Sequence, residues 1–438
     1  MVHGLAEAFL AGPWDLDGLV DRGGRALGRR YRWLRPVAKR VLAAYANRPR
    51  PRVVRLAGFL WEDAGFQRAR SKHTLGLRFT IWQKPEMTPA PGPPGSWLVP
   101  AIATPAELAS FLDLTPNQLD WFADCQSREG ADPDEPLRHY RYRWVGKPSG
   151  SFRLIEAPKP RLKQLQRKLL GAILLPIPPH DAAHGFRPGR SVTTFVAPHV
   201  GQTIVLKMDL VDFFVSITSA RVIAIYLTAG YPEAVARVLT GLCTNTVPLS
   251  VWNSLETERD LARSTATWRS RRLYREPHLP QGAPTSPALA NLAAYRLDAR
   301  LAGLARTAEA RYTRYADDLV FSGGESFART IARFPTHVAA IALEEGFHVQ
   351  HRKTRVMRQG VRQRAAGVVI NQKINITRDD YDKLKAILCN CARHGPHSQN
   401  RAGVADFRAH LAGRVAHVSR LNPQRGERLM RLFERIVW

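Results

Sequence analysis

The sequence predicts an α+β protein of more than one domain, and three observations carry that prediction. Two β-rich runs, Tyr140 to Trp144 and Phe152 to Ile155, flank a turn-like Lys147-Pro-Ser-Gly-Ser151. A short β-branched run, Thr203 to Met208, reads as a buried strand. Both ends of the chain carry apolar residues at helical spacing instead.

Length and charge frame what the elements are for. At 438 residues the chain exceeds one ordinary domain, and 45% hydrophobic content is normal for a globular protein. The charge is not: 65 Lys and Arg against 37 Asp and Glu leave +28. So positive a surface repels itself unless it faces a polyanion, and nucleic acid is the commonest. Charge gives a partner class and no reaction. Met1 to Trp14 lacks a basic start followed by a long apolar run, and no run reaches about 18 apolar residues, so neither signal peptide nor membrane span is expected. Four cysteines, Cys125, Cys243, Cys389 and Cys391, make no disulfide framework and fit a reducing cytoplasm. Cys389-Asn-Cys391 with His394 and His397 has neither the usual zinc spacing nor a second cluster, so ordinary packing is favoured over zinc.

In chain order, Arg22 to Arg55 holds twelve Lys or Arg and no acid, interleaved with Tyr31, Trp33 and Tyr45. Leu34, Val37, Val41 and Leu42 give it a helical stripe, so a folded basic helix that contacts phosphate is expected. The Pro/Gly-rich run Thr88 to Gly95 then closes a module over residues 1–95. Thr104-Pro105-Ala-Glu107 resembles a capped helix start. After the hairpin, Leu162, Leu165, Leu169 and Ile173 predict a helix, and Ala288 to Leu304 another. Trp252 to Glu276 is polar and aperiodic, as in a loop or insertion. Beyond Asn371 two stripes, Phe407–Leu411–Val415–Val418 and Leu429–Leu432–Phe433–Ile436, are split by Asn422-Pro423.

The chemistry concentrates on acids. Tyr312-Thr-Arg-Tyr315-Ala-Asp317-Asp318-Leu-Val-Phe321 sets two adjacent carboxylates between two β-rich runs, as a tight hairpin would. Side-by-side anions repel, and a fold tolerates them when a cation compensates; the bland reading is a polar turn, where Asp is common. The strand from Thr203 delivers Asp209 at its end, followed by Asp212, Phe213 and Phe214. Three such acids can build a two-metal site with ions ~3.5–4 Å apart, one activating a hydroxyl and one stabilising pyrophosphate. Magnesium, with its oxygen ligands, is the natural occupant, and manganese a substitute.

At this point the chain resembles the reverse transcriptase family. Lys147 to Leu162, His184-Gly-Phe-Arg187-Pro-Gly-Arg190-Ser191, Asp209 to Phe214, Gln281-Gly282-Ala-Pro-Thr-Ser286-Pro287, Tyr315-Ala-Asp317-Asp318, His351-Arg352-Lys353-Thr354 and Gly367-Val-Val-Ile-Asn371 match its blocks in order. The resemblance implies a right-hand polymerase with fingers over 96–205, palm over 206–371 and helical thumb over 372–438. It implies Asp209 and Asp317 as metal ligands supported by Asp318, and Lys353 as general acid for pyrophosphate. Phe214 would be the steric gate that excludes a 2′-hydroxyl, and Asp212 would position backbone. Lys147 and Arg153 would clamp the incoming triphosphate, with Phe213, Gln281 and Gly282 completing the deoxynucleotide pocket. Arg187, Arg190, Tyr315, Gly367, Arg408 and Arg414 would touch nucleic acid, with Arg420 and Arg425 also facing the duplex.

His184 through His199 and Arg362-Gln363-Arg364 resemble the retron enzymes in particular. Retrons copy a structured non-coding RNA into msDNA, usually in antiphage defence with an effector from the same operon. Phe195-Val196 and Ala365-Ala366 depart from the usual retron residues, in regions the family uses to read its RNA. The alternatives are a reverse transcriptase outside the retrons and a non-catalytic RNA-binding protein on a polymerase scaffold.

Overall fold

The computed structural model describes residues 1–46, 50–81, 86–87, 91–92, 95–125, 128, 135–146, 152–253 and 272–438. The chain divides into two compact units, Met1–Glu86 and Met87–Trp438.

The first unit packs the helices Val2–Leu10, Leu16–Ala26, Leu34–Ala44, Val53–Glu62 and Ala64–Lys72 around Leu5, Phe9, Leu34, Val37, Leu56 and Phe66. Asp15 and Asp63 cap two of them, accepting from the amides of Gly18 at 2.7 Å and Phe66 at 2.8 Å. The basic run is folded as expected, but it is not free of acids. Arg40 is held by Asp63, Arg30 by Asp21 and Arg35 by Asp17, all outside the run in sequence. Arg22 is buried, donating from Nε to the Ala8 carbonyl at 2.8 Å and from Nη2 to those of Phe9 and Pro13 at 2.9 and 2.6 Å. It closes a helix C-terminus and is not available to phosphate.

The second unit is built on a four-stranded antiparallel sheet in the order Ala310–Tyr315, Asp318–Gly323, Ile204–Asp209, Arg355–Arg358. Alternation along the central strand sends Ile204, Leu206 and Met208 into the large core, together with Leu319 and Phe321 of the neighbouring strand. Helices Pro160–Leu169, Ser219–Thr228, Glu233–Cys243, Ser286–Ala293, Tyr295–Thr307 and Phe334–Glu344 contribute much of that core. The opposite parity, Val205, Lys207 and Asp209 with Asp318 and Val320, faces the other way. Val205 and Val320 are covered there by Phe195, Val196, Ala365, Val368 and Ile370, while the end of the face carries the acids.

The fingers-like hairpin forms as Tyr140–Gly146 against Phe152–Pro158, and its turn, with Lys147, lies outside the described residues. The helix expected over 288–304 is two helices, Ser286–Ala293 and Tyr295–Thr307, parted at Ala294. Of the expected loop 252–276, residues 254–271 lie outside the described residues; at its two ends Trp252 and Tyr274 are buried beside Leu154 and Val251. The last three helices, Arg378–His394, Phe407–Leu421 and Pro423–Glu434, share a core of Leu384, Leu388, Cys391, Leu411, Val415 and Leu429. Cys391 belongs to that packing. No helix among the described residues is long and apolar enough to cross a membrane.

Substituting Arg22→Ala leaves three carbonyls without their donor and should destabilise the first unit by about 2–4 kcal/mol. Hydrogen exchange of the Val2–Leu10 amides measures this, and unchanged protection would refute the structural role.

Candidate active site

The three acids meet as the sequence suggests. Asp209 and Asp318 are direct cross-strand partners, so their side chains leave the same face of the sheet. Tyr315 pairs with Asp318 across the hairpin, leaving Ala316 and Asp317 as its two turn residues. The Leu210 amide donates to the Asp317 carbonyl at 2.9 Å, which ties the turn to the end of the central strand. Burial raises the pKa of Asp317 above the ordinary carboxylate range, and the charges of Asp209 and Asp318 add to it. Burial likewise raises that of Asp318, against the opposing pull of Lys207.

Two ammonium groups hold this charge. Lys353 Nζ donates to both carboxylate oxygens of Asp209 at 2.9 Å, and Lys207 Nζ lies 2.9 Å from Asp318 Oδ1. Lys207 was not anticipated, although its place two residues before Asp209 on a strand puts it on the same face. Among the described residues no three His, Cys, Asp or Glu side chains stand close enough together to hold a metal ion as they are placed. The donors that Asp209, Asp317 and Asp318 offer are nonetheless all carboxylate oxygens, which suits a hard cation such as magnesium.

The turn is held from beneath. Arg314 is fully buried and forms a bidentate pair with Asp298, Nε to Oδ1 at 2.8 Å and Nη2 to Oδ2 at 2.7 Å. Its Nη1 donates to the Ala316 carbonyl at 3.0 Å and to Asn291 Oδ1 at 3.1 Å, and Tyr312 Oη donates to Asp298 at 2.8 Å. Ala316 is kept in the left-handed region, φ +53°. On the outer side, His199 is buried between Ser322 at 2.6 Å and Thr313 at 2.7 Å, and burial lowers its pKa to about 3, so it stays neutral. None of Arg314, Asp298 or His199 was singled out as a site residue; a charged side chain inside a β-rich run was the available signal for the first.

Of the other expected residues, Phe214 is half-buried beside the acids' strand, but Phe213 is not a pocket residue. It is 3% exposed, packed on Phe347, with the Arg314 guanidinium over its ring, because the turn that follows the strand directs it into the core. Asp212 takes a left-handed φ of +48° and accepts from the Ser216 amide at 2.8 Å. Arg153 is exposed on the hairpin opposite Val145. Gly282, at φ +136°, passes so close to Glu156 that a Cβ would lie 2.8 Å from its carbonyl oxygen. The Gln281 carbonyl accepts from the Glu156 amide at 2.8 Å, while its buried Oε1 has no donor among the described residues.

The basic residues scatter more than expected. Arg187 and Arg190 share the exposed Asp181 at 3.3 and 3.7 Å. Gly367 and Arg414 line one cleft of about 400 Å³ with His410 and His417, but Arg408 lies over Trp438. Arg425, partly exposed, covers Tyr381 and donates to Asn375, so it braces the last helices. Of the departing residues, Phe195, Val196 and Ala365 are buried, whereas Ala366 is partly exposed at a left-handed φ of +44°.

Residues 145–377, more than half of the chain, match the reverse transcriptase (RNA-dependent DNA polymerase) family. The chain belongs to the reverse transcriptase family. A reverse transcriptase domain implies a right-hand polymerase fold, and the mixed helix and sheet seen here agree. Curated relatives include the retron Mx65 reverse transcriptase of Myxococcus xanthus, 44% identical over 304 residues, 68% of this chain and 65% of that protein. The retron Mx162 reverse transcriptase of the same organism is 34% identical over 336 residues, 73% of this chain and 64% of that one. The retron Ec86 reverse transcriptase of Escherichia coli is 31% identical over 240 residues, 55% and 65% of the two chains. The chain thus spans just under two thirds of the length of each.

Because the folded pKa of Asp317 lies above its unfolded value of about 3.9, the fold is favoured with that carboxyl protonated. That stability is complete below the unfolded pKa and lost as pH rises through the folded one. Without divalent cations, Asp317→Asn should therefore raise the melting temperature at pH 7, by about 2–4 °C for each kcal/mol relieved, with the gain vanishing near pH 3. A melting temperature lowered at pH 7 would contradict the repulsion inferred here.

Proposed function

We propose that this reverse transcriptase family member is an RNA-directed DNA polymerase that copies a structured non-coding RNA by two-metal nucleotidyl transfer, as in retron msDNA synthesis for antiphage defence. The observation that carries the proposal is the pairing of Asp209 with Asp318, with Asp317 in the adjoining turn near enough for both charges to raise its pKa. Asp209 and Asp317 would hold magnesium, with Asp318 in support and manganese as a substitute. When bound, such ions lower the pKa of a primer hydroxyl and neutralise departing pyrophosphate.

The chain's own residues then divide the remaining work. Released from Asp209, the Lys353 ammonium is available to protonate pyrophosphate. Phe214 lies beneath the incoming sugar and excludes a 2′-hydroxyl, which selects deoxynucleotides. Lys147 and Arg153 neutralise the triphosphate from the hairpin. The unpaired Gln281 Oε1 awaits a donor from nucleotide or template, and Tyr315, Arg187, Arg190 and the Gly367–Arg414 cleft follow the nucleic acid. Residues 96–205 serve as fingers, 206–371 as palm and 372–438 as thumb, and the helices before them as an added basic module. A retron setting would bring an effector protein of the same operon and a cytoplasmic location. The supporting observation is the likeness to three retron enzymes.

Primer extension on an RNA template with magnesium tests the reading directly. Asp317→Asn with Asp318→Asn should lower synthesis by about 10³-fold or more while RNA binding persists. Undiminished synthesis would remove the enzyme reading and leave an RNA-binding scaffold. Replacing Arg29, Arg32, Lys39 and Arg55, all exposed, by Gln should flatten the slope of log affinity against log salt by about 0.7 for each phosphate no longer neutralised. An unchanged slope would make that face a solvated surface. Sequencing the nucleic acid that co-purifies identifies the template.

A further inference from the structure

Phe186 combines three properties that packing alone does not require. It is a bulky residue in the left-handed backbone region, φ +57°, and its side chain is 50% exposed. Its ring centroid lies 6.2 Å from that of Phe214 and 6.0 Å from that of Tyr315. A strained, solvent-facing aromatic that the fold nonetheless fixes points to a role outside the core.

The fixing is explicit. The His184 amide donates to the Arg314 carbonyl at 2.8 Å, and Asn291 Nδ2 donates to the Gly185 carbonyl at 2.8 Å. Gly185 runs so close to the carboxylate turn that a Cβ there would stand 2.8 Å from the Ala316 nitrogen. The backbone before Phe186 is therefore clamped to the same Arg314–Asn291 network that holds the acids. Phe214 meets Phe213 at 5.5 Å and Phe186 at 6.2 Å. Phe213 is buried in the core and Phe186 is half exposed, so Phe186 is the aromatic neighbour of Phe214 on the accessible side. Phe186 also lines a hollow of about 250 Å³ with Leu175, Pro178 and Leu292. Without its ring, Phe214 would lose its aromatic neighbour on the accessible side and gain room there.

We propose that Phe186 is a positioning residue for sugar discrimination, limiting the movement of Phe214 and so sharpening the choice of deoxyribonucleoside over ribonucleoside triphosphate. The inference rests on the reading of Phe214 as the gate. Its test compares kcat/KM for dCTP and CTP on one RNA template and primer, in the full chain and in Phe186→Ala, Phe186→Tyr, Phe214→Ala and the Phe186→Ala/Phe214→Ala pair. Taking the ratio within one preparation cancels any inactive fraction.

Removing one aromatic neighbour predicts that Phe186→Ala lowers the deoxy-to-ribo ratio by about 3- to 10-fold, while Phe186→Tyr retains it. Phe214→Ala should lower it further, and adding Phe186→Ala to it should change nothing more, because the effect passes through Phe214. A ratio unchanged in Phe186→Ala but lowered in Phe214→Ala overturns the inference and leaves the gate standing. Equal slowing of both nucleotides by Phe186→Ala overturns it as well, as does an undiminished effect in the Phe214→Ala background. An unchanged ratio in Phe214→Ala itself would remove the gate and the inference with it.

Discussion

A guanidinium and a carboxylate sealed away from water hold the centre of this protein together. Arg314 and Asp298 are both inaccessible to solvent, and every spare donor of the arginine named above reaches a group that shapes the acidic turn. Such a pair contributes little net stability relative to apolar packing, yet losing either partner strands a buried charge at a cost of about 3–5 kcal/mol. What it supplies is a single arrangement. The helix Tyr295–Thr307, the hairpin 310–323, Asn291 and the Gly185 segment can satisfy the pair in only one relative position.

The acids above that anchor are in the opposite situation, half-open and mutually repelling. Lys207 from the central strand and Lys353 from the turn before the edge strand Arg355–Arg358 each pair with one of the acids. The sheet's alternation makes the arrangement economical: one parity of each strand builds the core, and the other brings Lys207, Asp209 and Asp318 to a shared face. Catalytic-type residues and core residues thus come from the same six-residue strand without competing for position.

The sequence made the strand ending on Asp209, the Tyr315–Asp318 hairpin, the paired strands near Tyr140 and the C-terminal helical stripes readable, because each is a local pattern of period or turn. What it concealed depends on partners distant along the chain. Arg22 looked like one more surface cation until three carbonyls from the preceding helix and loop enclosed it. The acids that neutralise Arg30, Arg35 and Arg40 lie before and after the basic run, beyond the window in which it seemed unopposed. Phe213 and Phe214 are indistinguishable as letters, and only the bend after Asp209 decides which one enters the core. Arg408, Arg414 and Arg425 likewise share a composition but not a direction.

Phe195, Val196, Ala365 and Ile370 interlock over Val205 and Val320, on the side of the sheet that ends at the acids. Segments far apart in sequence therefore fill a single volume, and neither can change size alone. A chimera that took the 192–196 helix from a relative while keeping this chain's 364–370 ladder would meet a void or a collision directly behind the central strand. The two stretches form one transferable block, to be exchanged together or left alone.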